Sequence, residues 1–331
     1  MALDSRQSMS DQNGILLDVQ DLHTSFATRR GMVRAVDGVS FRVRKGETVA
    51  LVGESGCGKS VTALSLARLV PQPPGVYEGG QILYQGQDVL KMDESALRQL
   101  RGKEISYVFQ EPGESLNPVF RVGYQIGEAI RLHRANVNVR DEVIRLMNLV
   151  GLPEPEQRMD AYPNELSGGM QQRAMIAMAL ACSPNVLIAD EPTTALDVTI
   201  QAQIMDLLGS LQKQLGMAVV LITHNLGLVA DVAHWINVMY AGRIVESGPT
   251  ENVLTQPKHP YTMGLLEAVP RLEGTTGRLK GIDGTVPNPA QLPDGCKFHP
   301  RCQKCQAICK EWEPAWEPVA PNHSVKCHFW K

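Results

Sequence analysis

Residues 53–60 read Gly-Glu-Ser-Gly-Cys-Gly-Lys-Ser and fit the pattern G-x-x-x-x-G-K-[ST], between an apolar run at 48–52 and a helical pattern that starts at Lys59. No other feature restricts the fold of the chain as strongly. Such a loop works only as the corner between a buried strand and a helix, because Gly53, Gly56 and Gly58 must let the backbone curl until its N–H groups surround an anion. The positive end of the following helix strengthens that field. Lys59 would reach the β- and γ-phosphates of a nucleotide and the Ser60 hydroxyl would bind Mg²⁺, with Ser55 and Val61 completing the stretch. The plain alternative is a glycine-rich strand–turn–helix corner with no ligand, and the flanks on both sides favour the phosphate reading. Cys57 within the loop need only be small.

The rest of the chain alternates in the manner of a parallel sheet wrapped by helices. Short β-rich runs at 15–19, 33–43 and 47–52 precede the loop, and apolar runs at 186–189, 218–222 and 236–240 follow at intervals filled by helical periodicity. Ile200, Ile204, Leu207, Leu208, Leu211 and Leu215 form one helical stripe, expected to face the core. Residues 111–180 are mostly helical in period and predict an inserted helical subdomain. Prolines crowd the chain after about 257, which places a boundary near 255 and excludes long helices beyond it. Residues 1–13 are polar and predict a disordered N-terminus, followed by a domain at 14–255 and a C-terminal domain at 256–331.

Composition narrows the class of function. The 331 residues carry 32 Lys plus Arg against 35 Asp plus Glu, a formal net charge of -3, so no strong field draws nucleic acid. Apolar stretches such as 174–182 fall far short of the roughly 18 residues that span a bilayer. No basic patch leads into an apolar segment at the start, so the reading is a cytoplasmic chain without a secretory signal.

The apolar run at 186–189 ends in Asp190 and Glu191, which a parallel sheet would present at its carboxyl edge, where ligands of open α/β folds bind. Asp190 would hold Mg²⁺ and Glu191 would polarise an attacking water. Taken alone, acids at a strand end are more often solvated turn residues. The phosphate loop reverses that weighting.

Between these two motifs stands Leu166-Ser167-Gly168-Gly169-Met170-Gln171, and here the chain resembles the ATP-binding-cassette ATPases. The resemblance implies an α/β fold of the P-loop NTPase type: a RecA-like core sheet, an antiparallel β subdomain and the helical insertion, with a small Cys-rich C-terminal extension. It makes Gln110 the Q-loop glutamine and a magnesium ligand, Ala195-Leu196-Asp197 the D-loop, His224 the switch histidine and Phe26 the aromatic stacked on adenine. Without the motif set, Gln110 would read as a solvated amide, His224 as structural and Phe26 as a core aromatic. Ser167, Gly168, Gly169, Gln171 and Asp197 are implied contacts to ATP, in the pocket of a facing subunit.

Further segments are similar to one branch, the oligopeptide/dipeptide importer ATPases: Ser115-Leu116-Asn117-Pro118, Tyr162-Pro163, residues 193–199, His259-Pro260-Tyr261-Thr262 and the stretch 295–302. Arg101-Gly102 tilts the resemblance toward the subunit usually named D. The branch implies a second homologous ATPase in a heterodimer, two transmembrane permease subunits and an extracytoplasmic peptide-binding protein. It implies a peripheral place on the cytoplasmic face of the inner membrane, with the permeases' coupling helices resting near Gln110 and residues 111–122. Branch members also serve nickel, metallophores, glutathione and oligosaccharides, so these cargoes stay open beside peptides. A soluble ABC ATPase outside transport would carry two cassettes or a long coiled-coil insertion, and an exporter would fuse the cassette to its membrane domain. Neither pattern occurs.

Cysteines gather in the tail as Cys296, Cys302, Cys305, Cys309 and Cys327, whereas Cys57 and Cys182 stand apart, Cys182 as a small core residue. In a cytosolic chain this clustering points to a metal rather than disulfides. Spacing leans to Zn²⁺, with His299, His323 and His328 nearby. The resemblance instead implies a [4Fe–4S] cluster on Cys296, Cys302, Cys309 and Cys327, with Cys305 an extra thiol that could replace one of them. A tail without metal is the third possibility, and the prolines argue that the tail needs a staple to fold.

Overall fold

The computed structural model describes residues 14–29, 31–194, 196–269 and 281–331. The disordered N-terminus expected at 1–13 lies outside the described residues, as does Ala195 of the expected D-loop. Contacts divide the chain into two compact units, each assembled from segments distant in sequence. One holds residues 17–42, 48–90, 222–269 and 281–331, and the other holds 14–16, 43–47 and 91–221.

The first unit carries an antiparallel sheet whose order is Gly31–Arg44, Ile15–Thr28, Gly75–Tyr84 and Gln87–Asp88. Leu17, Val19, Leu22, Val36 and Val39 are buried in it. The same unit carries the strand Thr48–Val52, parallel to Trp235–Tyr240, with Val49 opposite Trp235 and Val52 opposite Val238. All five residues of Thr48–Val52 are buried, which is why that run is apolar without alternation.

The proline-rich tail belongs to this unit and adds strands to it. Arg243–Pro249 pairs antiparallel with Trp235–Tyr240, His323–Val325 pairs with Arg243–Pro249, and Glu317–Ala320 lies outermost. Pro318 is tolerated there because an outer strand need not donate every N–H. Glu246, fully buried, docks the tail: its carboxylate accepts from the backbone N–H of Lys258 (2.7 Å) and of His259 (2.9 Å) and meets His323 Nε2 at 2.8 Å. A buried charge persists only with such compensation.

The second unit pairs Ile105–Val108 parallel with Val186–Asp190, Tyr107 facing Ile188, and residues 218–221 run alongside the latter strand. The helices Val122–His133, Val139–Leu149 and Gly168–Ala179 pack on one another through Ile126, Ile130, Val143, Leu146, Met147 and Met175. The helix Val198–Leu215 starts where the Asp197 carboxylate accepts from the Ile200 N–H (3.0 Å) and stops at the left-handed Gly216. Ile204, Leu208 and Leu211 of its stripe are buried, but Leu215, in the final turn, is exposed.

Candidate phosphate loop, acid pair and thiol pocket

The loop 53–60 lies between the buried strand Thr48–Val52 and the helix Lys59–Leu66, as its pattern requires. Gly58, the residue that caps this helix, sits at φ 103°, where an L side chain would be strained. A Cβ on Gly53 would lie 2.3 Å from the Met239 carbonyl oxygen, so the loop can approach that strand only with glycine there. Lys59 is buried, and its Nζ donates to the carbonyls of Gly53 (2.8 Å) and Glu54 (3.1 Å). Cys57 is fully buried against Gly53, and burial pushes its thiol above the usual range, as suits a space-filling group. Ser55, Gly56 and Ser60 are exposed and Val61 is half-buried.

In the same unit, Phe26 is half-buried in the strand Ile15–Thr28, opposite Gly75. His224 is exposed directly after the strand Ala218–Thr223. The turn that carries it is fixed because Asn225 donates its N–H to Thr223 Oγ1 (3.0 Å) and accepts from the Gly227 N–H (2.9 Å).

The acid pair belongs to the second unit. Asp190 is buried and accepts from the Tyr107 hydroxyl at 3.0 Å, and burial together with that carboxylate holds the phenol far above its ordinary pKa. Glu191 adopts φ 46°, a strained value for a non-glycine residue. Its Oε2 accepts from Thr194 Oγ1 (2.9 Å) and from Gln110 Nε2 (3.4 Å), so a turn neighbour and a residue 81 positions away in sequence converge on one carboxylate. Ser167 caps the helix Gly168–Ala179, its Oγ accepting from the Met170 N–H at 3.4 Å. Gly168 and Gly169 are exposed or half-buried beside Leu196 and Ile200. Gln171 Nε2 braces the preceding turn through the carbonyls of Pro163 (2.8 Å) and Leu166 (3.1 Å).

The sequence gives neither Tyr107 nor Thr194, the latter noted only within 193–199, a role beside the acid pair. The signal for Tyr107 was its place one strand over and in register with the run that ends in Asp190. Thr194 lay three residues beyond Glu191, the spacing at which a hydroxyl in a turn can reach back.

In the tail, Cys296, Cys302, Cys309 and Cys327 line one pocket together with His259, Phe298, His299 and His328. Burial, reinforced by the other three cysteines, pushes the Cys296 thiol up to about 11. The Phe329 N–H donates to Cys327 Sγ at 3.4 Å. Cys305 stands apart from the pocket, its thiol directed to the Gln306 carbonyl at 3.7 Å. Among the described residues, no three His, Cys, Asp or Glu side chains converge closely enough to hold a single metal ion. The expectation of a metal in the tail, [4Fe–4S] cluster or Zn²⁺ alike, therefore finds no such geometry among the described residues. Cys182 is half-buried rather than a core residue, with its thiol 3.5 Å from the Ala129 carbonyl.

Comparison with known proteins extends over both ends of the chain. Residues 36–194 match the family described as ABC transporter, and residues 245–309 match the family described as oligopeptide/dipeptide transporter, C-terminal region. The dipeptide transport ATP-binding protein of Bacillus subtilis (strain 168) is 48% identical over 314 residues, covering 94% of each chain. The oligopeptide transport ATP-binding protein of the same organism is 48% identical over 94% of this chain and 88% of its own. Among solved structures, an ATP-binding cassette dimer in a post-hydrolysis state with ADP and Pi aligns at TM-score 0.63 and 26% identity, covering 71% of this chain and 98% of that one.

Proposed function

The chain belongs to the ABC transporter family as an ATP-binding subunit of its peptide importers, and from that premise we propose how its residues drive transport. It is an ATPase whose hydrolysis energises peptide import. The observation that carries this conclusion is the end-to-end similarity to dipeptide and oligopeptide transport ATP-binding proteins, phosphate loop and tail together.

In the proposed cycle two cassettes close on two ATP molecules. The loop from Gly53 to Ser60 cradles the phosphates, Lys59 contacts the β- and γ-groups, and Phe26 stacks on adenine. Mg²⁺, when bound, neutralises phosphate charge; Ser60, Asp190 and Gln110 would hold it, and a hydroxyl, a carboxylate and an amide are the hard oxygen donors that it takes. Glu191 polarises the attacking water and His224 positions it. The contacts of Glu191 with Thr194 and Gln110 support this reading, since they hold one carboxylate at the end of the strand that carries Asp190. Ser167, Gly168, Gly169, Gln171 and Asp197 complete the pocket of the facing cassette. One chain with one phosphate loop and one capped Ser-Gly-Gly helix needs a second cassette, and a homologous partner subunit fits the branch.

No helix among the described residues is long and apolar enough to cross a membrane, so permease subunits must do so. In this reading the chain is peripheral on the cytoplasmic face, and the extracytoplasmic binding protein delivers the peptide. Residues 111–122 would receive the permease, and exposed Val119, with Phe120 stacked on Tyr124 at 5.2 Å, offers the apolar surface for it. The thiol pocket is read as the seat of a [4Fe–4S] cluster on Cys296, Cys302, Cys309 and Cys327. A single zinc ion needs all donors within about 2.3 Å of one point. What supports this reading is that a [4Fe–4S] cluster takes four thiolates and that these four cysteines line one pocket.

Purification from membranes in mild detergent tests the assembly. Hydrophobic subunits and a second cassette should accompany the chain, and its ATPase should rise when a peptide-loaded binding protein is added. Recovery with ribosomes or nucleic acid instead would contradict it.

A further inference from the structure

Glu54 is an acid one residue inside a loop whose task is to hold anions, and the structure shows what compensates it. Arg301 meets its carboxylate with two parallel bonds, Nη1 to Oε2 at 2.7 Å and Nη2 to Oε1 at 3.0 Å, across 247 positions of sequence. The Arg301 side chain is 4% exposed. Its Nε donates to the Asp283 carbonyl (2.8 Å) and Nη2 also faces the carbonyls of Ile282 (3.2 Å) and Gly284 (3.3 Å), so the guanidinium is fixed before it reaches Glu54. The Tyr240 ring lies 5.9 Å from Cζ.

A second tail residue holds the same peptide. The Glu54 N–H donates to the hydroxyl of fully buried Tyr261 at 2.8 Å, while the Glu54 carbonyl accepts from Lys59 Nζ at 3.1 Å and from the Cys57 N–H at 3.3 Å. The residue whose carboxylate the tail grips is therefore also bonded, through its main-chain carbonyl, to the ammonium of the loop. A planar guanidinium is suited to this task because its fork fixes a carboxylate in one orientation, which a lysine cannot do.

We infer that Arg301 is a positioning residue for the ATP site, supplied by the cysteine-bearing tail, which neutralises Glu54 and fixes the start of the phosphate loop. Without Arg301, the Glu54 carboxylate would be an uncompensated charge, of the same sign as phosphate, within the phosphate loop itself. Because Arg301 ends the turn His299–Arg301 immediately before Cys302, it also ties the loop to the thiol pocket.

This inference rests on residues 53–60 binding ATP, so the test reports on both. MgATP affinity is measured by calorimetry on the full chain, with ATPase KM and kcat in parallel, for wild type, Arg301→Met, Glu54→Gln, the double variant, Arg301→Lys and Lys59→Ala. Arg301→Met should weaken MgATP binding about tenfold, chiefly in KM, and less in high salt. The double variant should recover most of the loss, because the repelling carboxylate is gone. A purely structural role would show neither the rescue nor the salt dependence. Where Arg301→Met does not fold, Arg301→Lys decides, with an intermediate loss expected. Wild-type affinity in the folded Arg301 variants, or no recovery in the double variant, would overturn the inference. Absence of MgATP binding by wild type, or unchanged binding by Lys59→Ala, would overturn the ATP site itself and the inference with it.

Discussion

Glu191 is held in a strained backbone conformation by its surroundings, and strain of this kind persists only where neighbouring contacts impose it. Glu191→Gln keeps the shape but removes the proposed base, so turnover should be abolished while MgATP still drives closed dimers, read by ATPase assay and size-exclusion chromatography. Turnover at the wild-type rate would remove Glu191 from its role. Tyr107→Phe should act more gently: Asp190 loses one hydrogen bond from a buried hydroxyl, at a cost of about 1–3 kcal/mol. That loss should appear as a several-fold higher Mg²⁺ requirement in an ATPase titration, and an unchanged requirement would show that the bond does not orient Asp190. Lys59, Asp190 and Glu191 can be singled out in the sequence because each belongs to a local pattern, and Gln110 only through the family resemblance. Tyr107, Thr194 and Arg301 cannot, because each is defined by a partner that only strand register or tail docking brings near.

Elements with a continuous apolar run or stripe are legible in the sequence, but Ile15–Thr28 extends past the expected 15–19, Gly75–Tyr84 is not among the expected runs, and the tail's strands are hidden by prolines. The strand Thr48–Val52 and the helix Val198–Leu215 declare themselves by apolar runs and stripes, whereas the hairpin of Glu317–Ala320 and His323–Val325 is hidden among Pro314, Pro318 and Pro321. Its stability comes from joining an existing sheet edge and from the buried Glu246, which no periodicity reveals. His259 takes part in the same docking, 1% exposed, its Nδ1 accepting from the Tyr261 N–H at 3.1 Å. Burial holds this imidazole down to about 4 from an ordinary 6.5. A depressed pKa means that the unfolded chain binds the proton first, so the contribution of neutral His259 is complete above pH 6.5 and declines as pH falls toward 4. Thermal unfolding should therefore show a melting temperature that drops across this window, and His259→Gln should flatten the drop. An equal slope in both proteins would assign it to other groups.

The whole molecule joins two chemistries in one chain, an ATP loop and a thiol pocket in the same compact unit. Strictly anaerobic purification should give a brown protein with about four irons per chain, and a Cys309→Ser variant should lose iron and colour. A colourless protein that contains zinc would contradict the cluster. The most direct test of the central claim is uptake of a labelled dipeptide and a labelled pentapeptide by cells that lack this chain, complemented with wild type or with Glu191→Gln. The account expects uptake of at least one peptide to be lost, and to be restored by wild type alone. Normal uptake of both peptides without the chain, or rescue by Glu191→Gln, would contradict it.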